Sequence, residues 1–238
     1  METLLETTVY KTVGASVELV QSLFAQARSI DNGEIRYEHF SSYGEDVIRL
    51  IYDRNIRRSI VLGVMQAFAD GLEPYLYSVD ETTLPEQIVS LLKEKGKRLS
   101  VAESFTGGGV ASAITSVSGA SSVFFEGITA YNEQAKVKRL GVRQETLQKF
   151  GAVSKETAGE MVAGLLRTGD CDFAVATTGI AGPNSDDSGF PVGLCFIAVG
   201  TNDKIAVYRY TLKGDRTEIT QTAKNYALFL VYKTLKNI

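Results

Sequence analysis

The sequence predicts an α/β protein of two domains, a small α+β domain followed by a larger α/β domain. Strand-like and helix-like segments alternate along most of the 238 residues, which is the pattern of mixed folds. Near residue 80 the order of elements changes, and a helix with a proline in its first turn joins the two patterns. The chain is also long for one compact domain. We therefore expect domains at 1–80 and 81–238.

The first domain is expected to have the element order β-α-β-β-α-β, which is that of a split βαβ fold. Apolar residues at helical spacing, such as Val17, Val20 and Phe24, predict the first helix. Asp31-Asn32-Gly33 is a turn signal, and Gly71 is expected to end the second helix. The predicted elements are a strand at 5–13, a helix at 15–28, strands at 34–40 and 46–52, a helix at 54–70 and a strand at 74–78.

The second domain alternates strands with helices, which predicts a sheet with helices on both faces, that is, three α/β/α layers. The segment 172–178 has almost no polar side chains and is expected to be a buried strand. The last helix has an apolar face from Ile219 to Leu235. The predicted strands are 98–102, 127–131, 172–178, 192–199 and 204–210, and the predicted helices are 83–95, 106–115, 133–140, 144–150, 154–168 and 217–236.

Composition argues against several classes of function. A net charge of -3 gives no general attraction to nucleic acid or anionic membranes. No apolar run reaches 18 residues, and the N-terminal segment lacks the pattern of a secretory signal. Cys171 and Cys195 are expected to be buried thiols in a cytoplasmic protein. The single histidine, His39, is expected in a strand without other catalytic-type residues, so neither a histidine-based active site nor a metal site is predicted.

The first candidate site is the stretch in which Ser104 and Thr106 precede three consecutive glycines, 107–109. Glycines let a ligand approach the backbone closely, and the free N–H groups of a helix start bind anions. A serine at a strand-to-helix turn is also suitably placed for a nucleophile. The alternative is that Ser104 or Thr106 only caps the helix, and spacing alone favours this alternative.

The second candidate site combines Tyr131, at the end of a predicted strand, with Lys136 on the following helix. A serine nucleophile without a histidine needs another base. A lysine with a lowered pKa can supply it, and a tyrosine can relay or orient the proton. The alternatives are a solvated Lys136 and a half-buried Tyr131 that only belongs to the strand.

Two loops also lie where ligands bind in open α/β sheets, at the ends of strands. The glycine-rich segment 177–193 either closes over a substrate or is an ordinary surface connection. Its Asp186 and Asp187 are expected to be solvated rather than to bind a cation. Arg216, after the predicted cap Asp215, either holds a phosphate or carboxylate with its planar guanidinium or is a solvated residue of the last helix.

Taken in order, nine motifs resemble the C-terminal domain of the CinA family of competence/damage-inducible proteins, which includes nicotinamide mononucleotide deamidases. The resemblance runs from about residue 88 to 236. Residues 1–80 more loosely resemble the KH-like module that precedes this domain in long members, but they contain no GxxG clamp, so KH-type RNA binding is not expected. The motifs are Ala102-Glu-Ser-Phe-Thr-Gly-Gly108, Ser118-Gly-Ala-Ser-Ser122, Phe125-Glu-Gly127, Tyr131-Asn-Glu-Gln-Ala-Lys136, Leu140-Gly-Val142, Gly151-Ala-Val-Ser154, Thr178-Gly-Ile-Ala-Gly-Pro183, Pro191-Val-Gly193 and Gly214-Asp-Arg216.

The resemblance implies an amidohydrolase that converts nicotinamide mononucleotide to nicotinic acid mononucleotide and ammonia, with no metal and no cofactor. By motif, Ser104 would be the nucleophile, Lys136 its general base and Tyr131 a proton relay. The resemblance also implies a homodimer, for which the apolar segment 123–125 is either an interface or part of the core. Membrane and nucleic-acid partners are not expected. The implied substrate-binding residues are Thr106, Gly107, Gly108, Asn132, Gly179, Ala181, Gly182 and Arg216.

The sequence departs from the family pattern in ways that favour an alternative function. Phe105 stands where many members have cysteine, and the loop 184–190 lacks the usual Glu and Lys before Pro191. Long members begin with a molybdopterin-binding-like domain associated with ADP-ribose pyrophosphatase activity, which this sequence does not contain. The alternative is a CinA-like protein that binds a nucleotide or a protein in competence or the DNA-damage response without turnover. Release of ammonia separates the two hypotheses.

Overall fold

The structure, a computed structural model, describes residues 4–185 and 189–237. It divides into two compact units, Met1–Thr83 and Leu84–Ile238, three residues after the division expected from the sequence. Each unit has a β-sheet of its own. Among the described residues, no helix combines the length and the apolar composition that a membrane span requires.

The first unit is a four-stranded antiparallel sheet of order β2-β3-β1-β4 with two helices, which confirms the predicted split βαβ topology. A two-residue turn joins β2 to β3, and Tyr43 and Gly44 both have positive φ there, as a tight hairpin requires. The elements are β1 (Leu5–Val13), α1 (Val17–Asp31), β2 (Arg36–Ser42), β3 (Glu45–Asp53), α2 (Arg58–Leu72) and β4 (Leu76–Ser78).

The α2 helix begins and ends later than predicted. The Asp53 carboxylate accepts a hydrogen bond of 2.8 Å from the N–H of Asn55, and this local turn delays the helix to Arg58. The helix then continues through Gly71, so the prediction that this glycine ends it is wrong. A Cβ atom at Gly71 would collide with the side chain of Leu23 in α1. The glycine therefore lets the two helices pack closely.

His39 is a half-buried residue of β2, which confirms its predicted place in a strand. Its Nε2 lies 2.8 Å from Oδ1 of the buried Asp46, and its ring meets Phe24 edge-on. Within the described parts of the chain, no group of three or more His, Cys, Asp and Glu residues is placed to hold a metal ion.

The second unit contains a mixed five-stranded sheet of order β6-β5-β7-β8-β9. The strand β5 runs parallel to β6 and β7, whereas β8 and β9 are antiparallel to their neighbours. The elements are α3 (Leu84–Lys95), β5 (Leu99–Glu103), α4 (Gly109–Thr115), β6 (Phe124–Thr129), α5 (Glu133–Leu140), α6 (Gln144–Phe150), α7 (Lys155–Leu166), β7 (Phe173–Gly179), β8 (Leu194–Gly200), β9 (Ile205–Thr211) and α8 (Arg216–Lys236).

Helices cover both faces of this sheet. Ala198 of β8 belongs to a core cluster with α7 residues such as Val162. Cys195 of the same strand packs instead with Ile219 and Ala223 of α8. Because residues three apart on a strand point to opposite faces, α7 and α8 lie on opposite sides of the sheet. This is the arrangement that an α/β/α domain requires.

Three parallel strands end at one edge of the sheet. The register pairs Glu103 of β5 with Thr129 of β6 and with Thr177 of β7. The segments that follow these strands are therefore brought together, as expected for a ligand site in an α/β fold. The strand β6 begins and ends earlier than predicted, so Tyr131 follows the strand instead of belonging to it. Within the segment 123–125, Val123 is buried and Phe125 is exposed.

Candidate active site

Ser104 lies in the turn that connects β5 to α4. Its side chain is buried, and its N–H donates a 3.0 Å hydrogen bond to the carbonyl of Thr177. The helix begins at Gly109 instead of Thr106, and its N-cap position is Gly108, which has no side-chain cap. The alternative in which Ser104 or Thr106 only caps this helix is therefore wrong.

The carboxylate of Glu103 takes the place of a cap at this helix start. Glu103 is 1 % exposed, and its two oxygens accept hydrogen bonds of 3.1, 3.0 and 2.9 Å from the N–H groups of Gly108, Val110 and Ala111. A negative charge is favourable at the positive end of a helix. The sequence reasoning missed this residue, although an acid just before a glycine-rich helix start is a usable signal.

The same turn leaves only some of its N–H groups available to a ligand. Gly107 donates to the carbonyl of Ser104, and Gly108 donates to Glu103. Neither glycine can therefore donate to an oxyanion or a phosphate, as the family resemblance implied, without breaking the turn. Within residues 4–185 and 189–237, the N–H groups of Phe105 and Thr106 have no protein acceptor. The Thr106 hydroxyl shares a 2.7 Å hydrogen bond with that of Thr177.

Lys136 is buried beside Ser104. It is 2 % exposed, and its Nζ donates hydrogen bonds of 2.8 Å to Ser104 Oγ and 2.9 Å to the carbonyl of Ala130. The alternative of a solvated lysine is therefore wrong. Burial lowers the pKa of Lys136 to about 8, and the nearby charge of Glu133 opposes this shift. Asn132 positions the helix by capping it, since its side chain accepts a hydrogen bond from the N–H of Gln134.

Tyr131 and Arg216 are hydrogen-bonded to each other. Tyr131 is 60 % exposed, so the alternative of a half-buried strand residue is wrong. Its hydroxyl accepts a 2.8 Å hydrogen bond from Nη2 of Arg216, while Nη1 donates a 2.7 Å bond to the carbonyl of Gly182. As far as the structure describes the chain, Tyr131 has no hydrogen bond to Ser104 or Lys136. Arg216 opens α8, where Asp215 and Glu218 form a capping box.

These side chains line a pocket of about 260 Å³. Of the residues predicted for the site, the pocket contains Ser104, Tyr131, Lys136, Gly179, Ala181 and Arg216. It does not contain the remaining predicted residues, which are Thr106, Gly107, Gly108, Asn132 and Gly182. The wall also contains Phe105, which the sequence analysis noted as a departure from the family pattern. The sequence reasoning missed as wall residues Glu133, Ala152, Val153 and Thr178. A larger cavity of about 470 Å³ in the first unit has no serine, cysteine or lysine among the described residues that line it.

Contacts with the rest of the domain hold three of the wall residues in place. The Thr178 hydroxyl donates a 2.7 Å hydrogen bond to the carbonyl of Ala152, which holds the α6–α7 connection against β7. The Phe105 ring is almost fully buried and packs in a core cluster with Ala181 and Cys195. The volume that Phe105 adds, relative to the cysteine of many family members, therefore lies partly in the core and partly in the pocket wall. Asp186 and Asp187 lie outside the described residues.

The chain matches the family model of the CinA C-terminal domain over residues 81–235, which includes nearly all of the second unit. A CinA-like protein of Kosmotoga olearia is 42% identical over 199 residues, covering 82% of this chain and 48% of that protein. A CinA-like protein of Fusobacterium nucleatum is 37% identical over 227 residues, covering 94% of this chain and 54% of that protein. The chain thus spans about half the length of these curated relatives.

Solved structures give the same family. A CinA superfamily protein from Klebsiella pneumoniae is similar with a TM-score of 0.63 and 30% identity, covering 65% of this chain and 97% of that chain. A competence/damage inducible protein from Agrobacterium tumefaciens has a TM-score of 0.61 and 37% identity, covering 64% of this chain and 93% of that chain.

Proposed function

Because the chain belongs to the CinA family, we propose that its second unit hydrolyses the carboxamide of nicotinamide mononucleotide to nicotinic acid mononucleotide and ammonia. One observation carries the proposal: the Nζ of the buried Lys136 lies 2.8 Å from Ser104 Oγ. A nucleophile within hydrogen-bond reach of a base is the arrangement that covalent catalysis requires.

Lys136 serves as the base in its neutral form. With a pKa of about 8, roughly a tenth of the lysine is neutral at pH 7. The neutral amine can accept the Ser104 proton across the same contact that the ammonium form uses to donate. The serine oxygen then attacks the carboxamide carbon, and no histidine is needed.

The backbone after the nucleophile can stabilise the oxyanion. Attack places a negative charge on the former carbonyl oxygen, which needs preorganised donors. The N–H of Phe105 directly follows Ser104 and has no acceptor in the described part of the chain, as in strand-turn-helix nucleophile sites. The ammonium of Lys136 returns its proton to the leaving nitrogen, which departs as ammonia. Water then attacks the acyl-serine with Lys136 again as base, releasing the carboxylic acid and free Ser104.

Arg216 and Tyr131, which are hydrogen-bonded to each other, act together in binding the substrate. A guanidinium with planar donors suits a phosphate group. When Arg216 binds the phosphate, its hydrogen bond to Tyr131 is exchanged for one to the substrate. The Tyr131 hydroxyl is then available to orient the reacting amide, which is the state in which a relay role becomes possible.

The experiment is to measure ammonia released from nicotinamide mononucleotide by the purified protein and its variants. Ser104→Ala and Lys136→Ala are expected to lower the rate about a thousandfold or more, since each removes one half of a catalytic unit. Ser112→Ala and Lys138→Ala are matched controls, because both side chains are exposed on neighbouring helices and are expected to keep the wild-type rate. Wild-type activity that survives in Ser104→Ala would refute the proposed nucleophile.

The second candidate function is binding of a pyridine nucleotide without turnover. The observation that favours it is the closed Tyr131–Arg216 pair, which occupies two groups that a catalytic complex would need. A folded wild-type protein that binds nicotinamide mononucleotide but releases no ammonia would support this function. It would connect the chain to competence or damage responses only through a further protein or ligand.

Three expectations accompany the proposed function: a homodimer, a cytoplasmic location and no binding of nucleic acid. The exposed ring of Phe125 on the edge strand β6, with the Arg98 guanidinium 5.6 Å from its centre, is a candidate contact for the dimer. Sedimentation of wild type and Phe125→Ser tests whether the protein is a dimer. Fractionation of cells tests the cytoplasmic location. A gel shift with DNA at physiological salt tests whether the protein binds nucleic acid.

A further inference from the structure

The hydroxyl of Thr106 serves neither of the two roles that were predicted for this residue from the sequence. The helix that follows has Gly108 at its N-cap position, and Thr106 does not line the pocket. Its hydroxyl instead shares a 2.7 Å hydrogen bond with the hydroxyl of Thr177. Thr177 is a fully buried residue of β7, the strand that lies between β5 and β8. The Thr106 side chain is therefore tied to the centre of the sheet.

Thr177 contacts the nucleophile segment, Ser104–Thr106, at both of its ends. At one end its carbonyl accepts a 3.0 Å hydrogen bond from the N–H of Ser104, and at the other end its hydroxyl meets that of Thr106. The pairing of Glu103 with Thr177 in the sheet brings the turn to this position. Sites that strands support are held more precisely than sites on loops alone. Two contacts from one residue of a central strand therefore fix the path of the segment between them.

The nucleophile segment also carries the free backbone donors of the turn. The N–H of Gly107 donates a 3.1 Å hydrogen bond to the carbonyl of Ser104, so Phe105 and Thr106 are the central residues of a turn. The hydrogen bond of such a turn joins its first and fourth residues and leaves the central N–H groups unused. Donors stabilise an oxyanion strongly only when they are preorganised around the position where the charge develops. The contacts of Thr177 therefore determine how well these two donors are held.

We propose that Thr177 is a positioning residue for catalysis, which holds the nucleophile segment so that the N–H groups of Phe105 and Thr106 stay available to the oxyanion. Thr177 acts through this segment and not on the substrate, since it does not line the pocket. Its neighbour Thr178 points to the opposite face of β7 and holds Ala152 in the pocket wall. The inference rests on the proposed function and adds a positioning residue to it.

The test is a double-mutant cycle on the two hydroxyls, with ammonia release from nicotinamide mononucleotide as the assay. Thr177→Val and Thr106→Val remove the same hydrogen bond, and each is expected to lower kcat about three- to tenfold with KM unchanged, as for the net effect of one hydrogen bond. The double variant is expected to lose no more than either single variant, because the two residues share one contact.

Conservative variants separate positioning from folding. Thr177→Ser and Thr106→Ser keep the hydroxyl and are expected to restore the wild-type kcat. Urea unfolding shows which variants are folded under the assay conditions. If Thr177→Val does not fold, the half-buried Thr106 decides the test through its own valine and serine variants. Thr211→Val is the matched control, since Thr211 is exposed on β9 and lies outside the pocket wall.

The outcomes distinguish this inference from the proposed function. If wild type releases ammonia and the folded valine variants keep its kcat, the inference is overturned and the proposed function stands. Additive losses in the double variant, or a higher KM with an unchanged kcat, also overturn the inference. A loss that serine does not restore overturns it too, because the hydroxyl is then not the group that matters. If wild type releases no ammonia, the proposed function fails and this inference fails with it.

Discussion

Replacing Lys136 by methionine should make the protein more stable at neutral pH while abolishing catalysis. Methionine is close to lysine in length, but it does not carry a buried charge. The pKa of Lys136 is lowered from 10.5 to about 8 by burial. At pH 7 both states are protonated, so this shift costs about 3.5 kcal/mol of folding stability, at about 1.4 kcal/mol per pKa unit. Loss of the hydrogen bonds to Ser104 and Ala130 offsets about 1 to 3 kcal/mol of the gain.

The pH dependence of this stability difference is the decisive measurement. Because the folded-state pKa lies below the unfolded-state value, the unfolded chain binds more protons between about pH 8 and 10.5. Wild type should therefore gain about 2 kcal/mol relative to Lys136→Met between pH 7 and 9.5. The hydrogen-bond losses and the titration of all other groups cancel in this comparison. Urea unfolding of both proteins at several pH values provides the data. A difference that stays constant over this range would refute the assignment of a lowered pKa to Lys136.

Three other predictions concern the site and its support. The kcat/KM of wild type should rise with pH through an apparent pKa of about 8, as Lys136 loses its proton; a flat profile from pH 6 to 9 would contradict a lysine base. Glu103→Gln places an amide donor against three N–H donors and should destabilise the protein by about 2 kcal/mol in urea unfolding, and unchanged stability would show that the carboxylate does not hold the turn. Gly164→Ala should lower both stability and activity, because the new Cβ atom would collide with the backbone at the end of α5. Gly159→Ala in the same helix should be tolerated, because its Cβ atom would lie at an ordinary contact distance from its neighbours. Equal behaviour of the two variants in unfolding and ammonia assays would exclude the collision.

The sequence predicted the order of elements better than their ends. The limits of α5 and α6 agree with the prediction, because Asn132 and the following glycines are strong local signals. The α2 helix was placed wrongly because a side-chain turn at Asp53 and the packing of Gly71 decide its ends. The Asp53 turn is a local side-chain contact that hydrophobic periodicity does not reveal. The packing of Gly71 against Leu23 joins residues far apart in the chain, so no local pattern predicts it.

At the candidate site, too, the sequence predicted some features correctly and could not predict others. Motif order identified Ser104, Lys136 and Arg216 as chemically important, and the structure brings all three to one pocket. Sequence reasoning from the residues alone could not decide whether Lys136 was solvated, because burial depends on how β5, β6 and α5 meet. It also assigned ligand contacts to Gly107 and Gly108, whose N–H groups the turn itself uses. The free donors in a turn become visible only after its internal hydrogen bonds are known.

The arrangement of Glu103 explains how a buried lysine can remain a base next to a buried acid. Glu103 directly precedes Ser104, the hydrogen-bond partner of Lys136, yet no ion pair joins the two charged residues in the part of the chain that the structure describes. Three N–H groups at the start of α4 bind the carboxylate instead. An ion pair with Glu103 would raise the pKa of Lys136 and keep it protonated. By holding the carboxylate with backbone donors, the fold lets burial dominate and brings the lysine pKa to about 8, near the pH at which a general base is most effective.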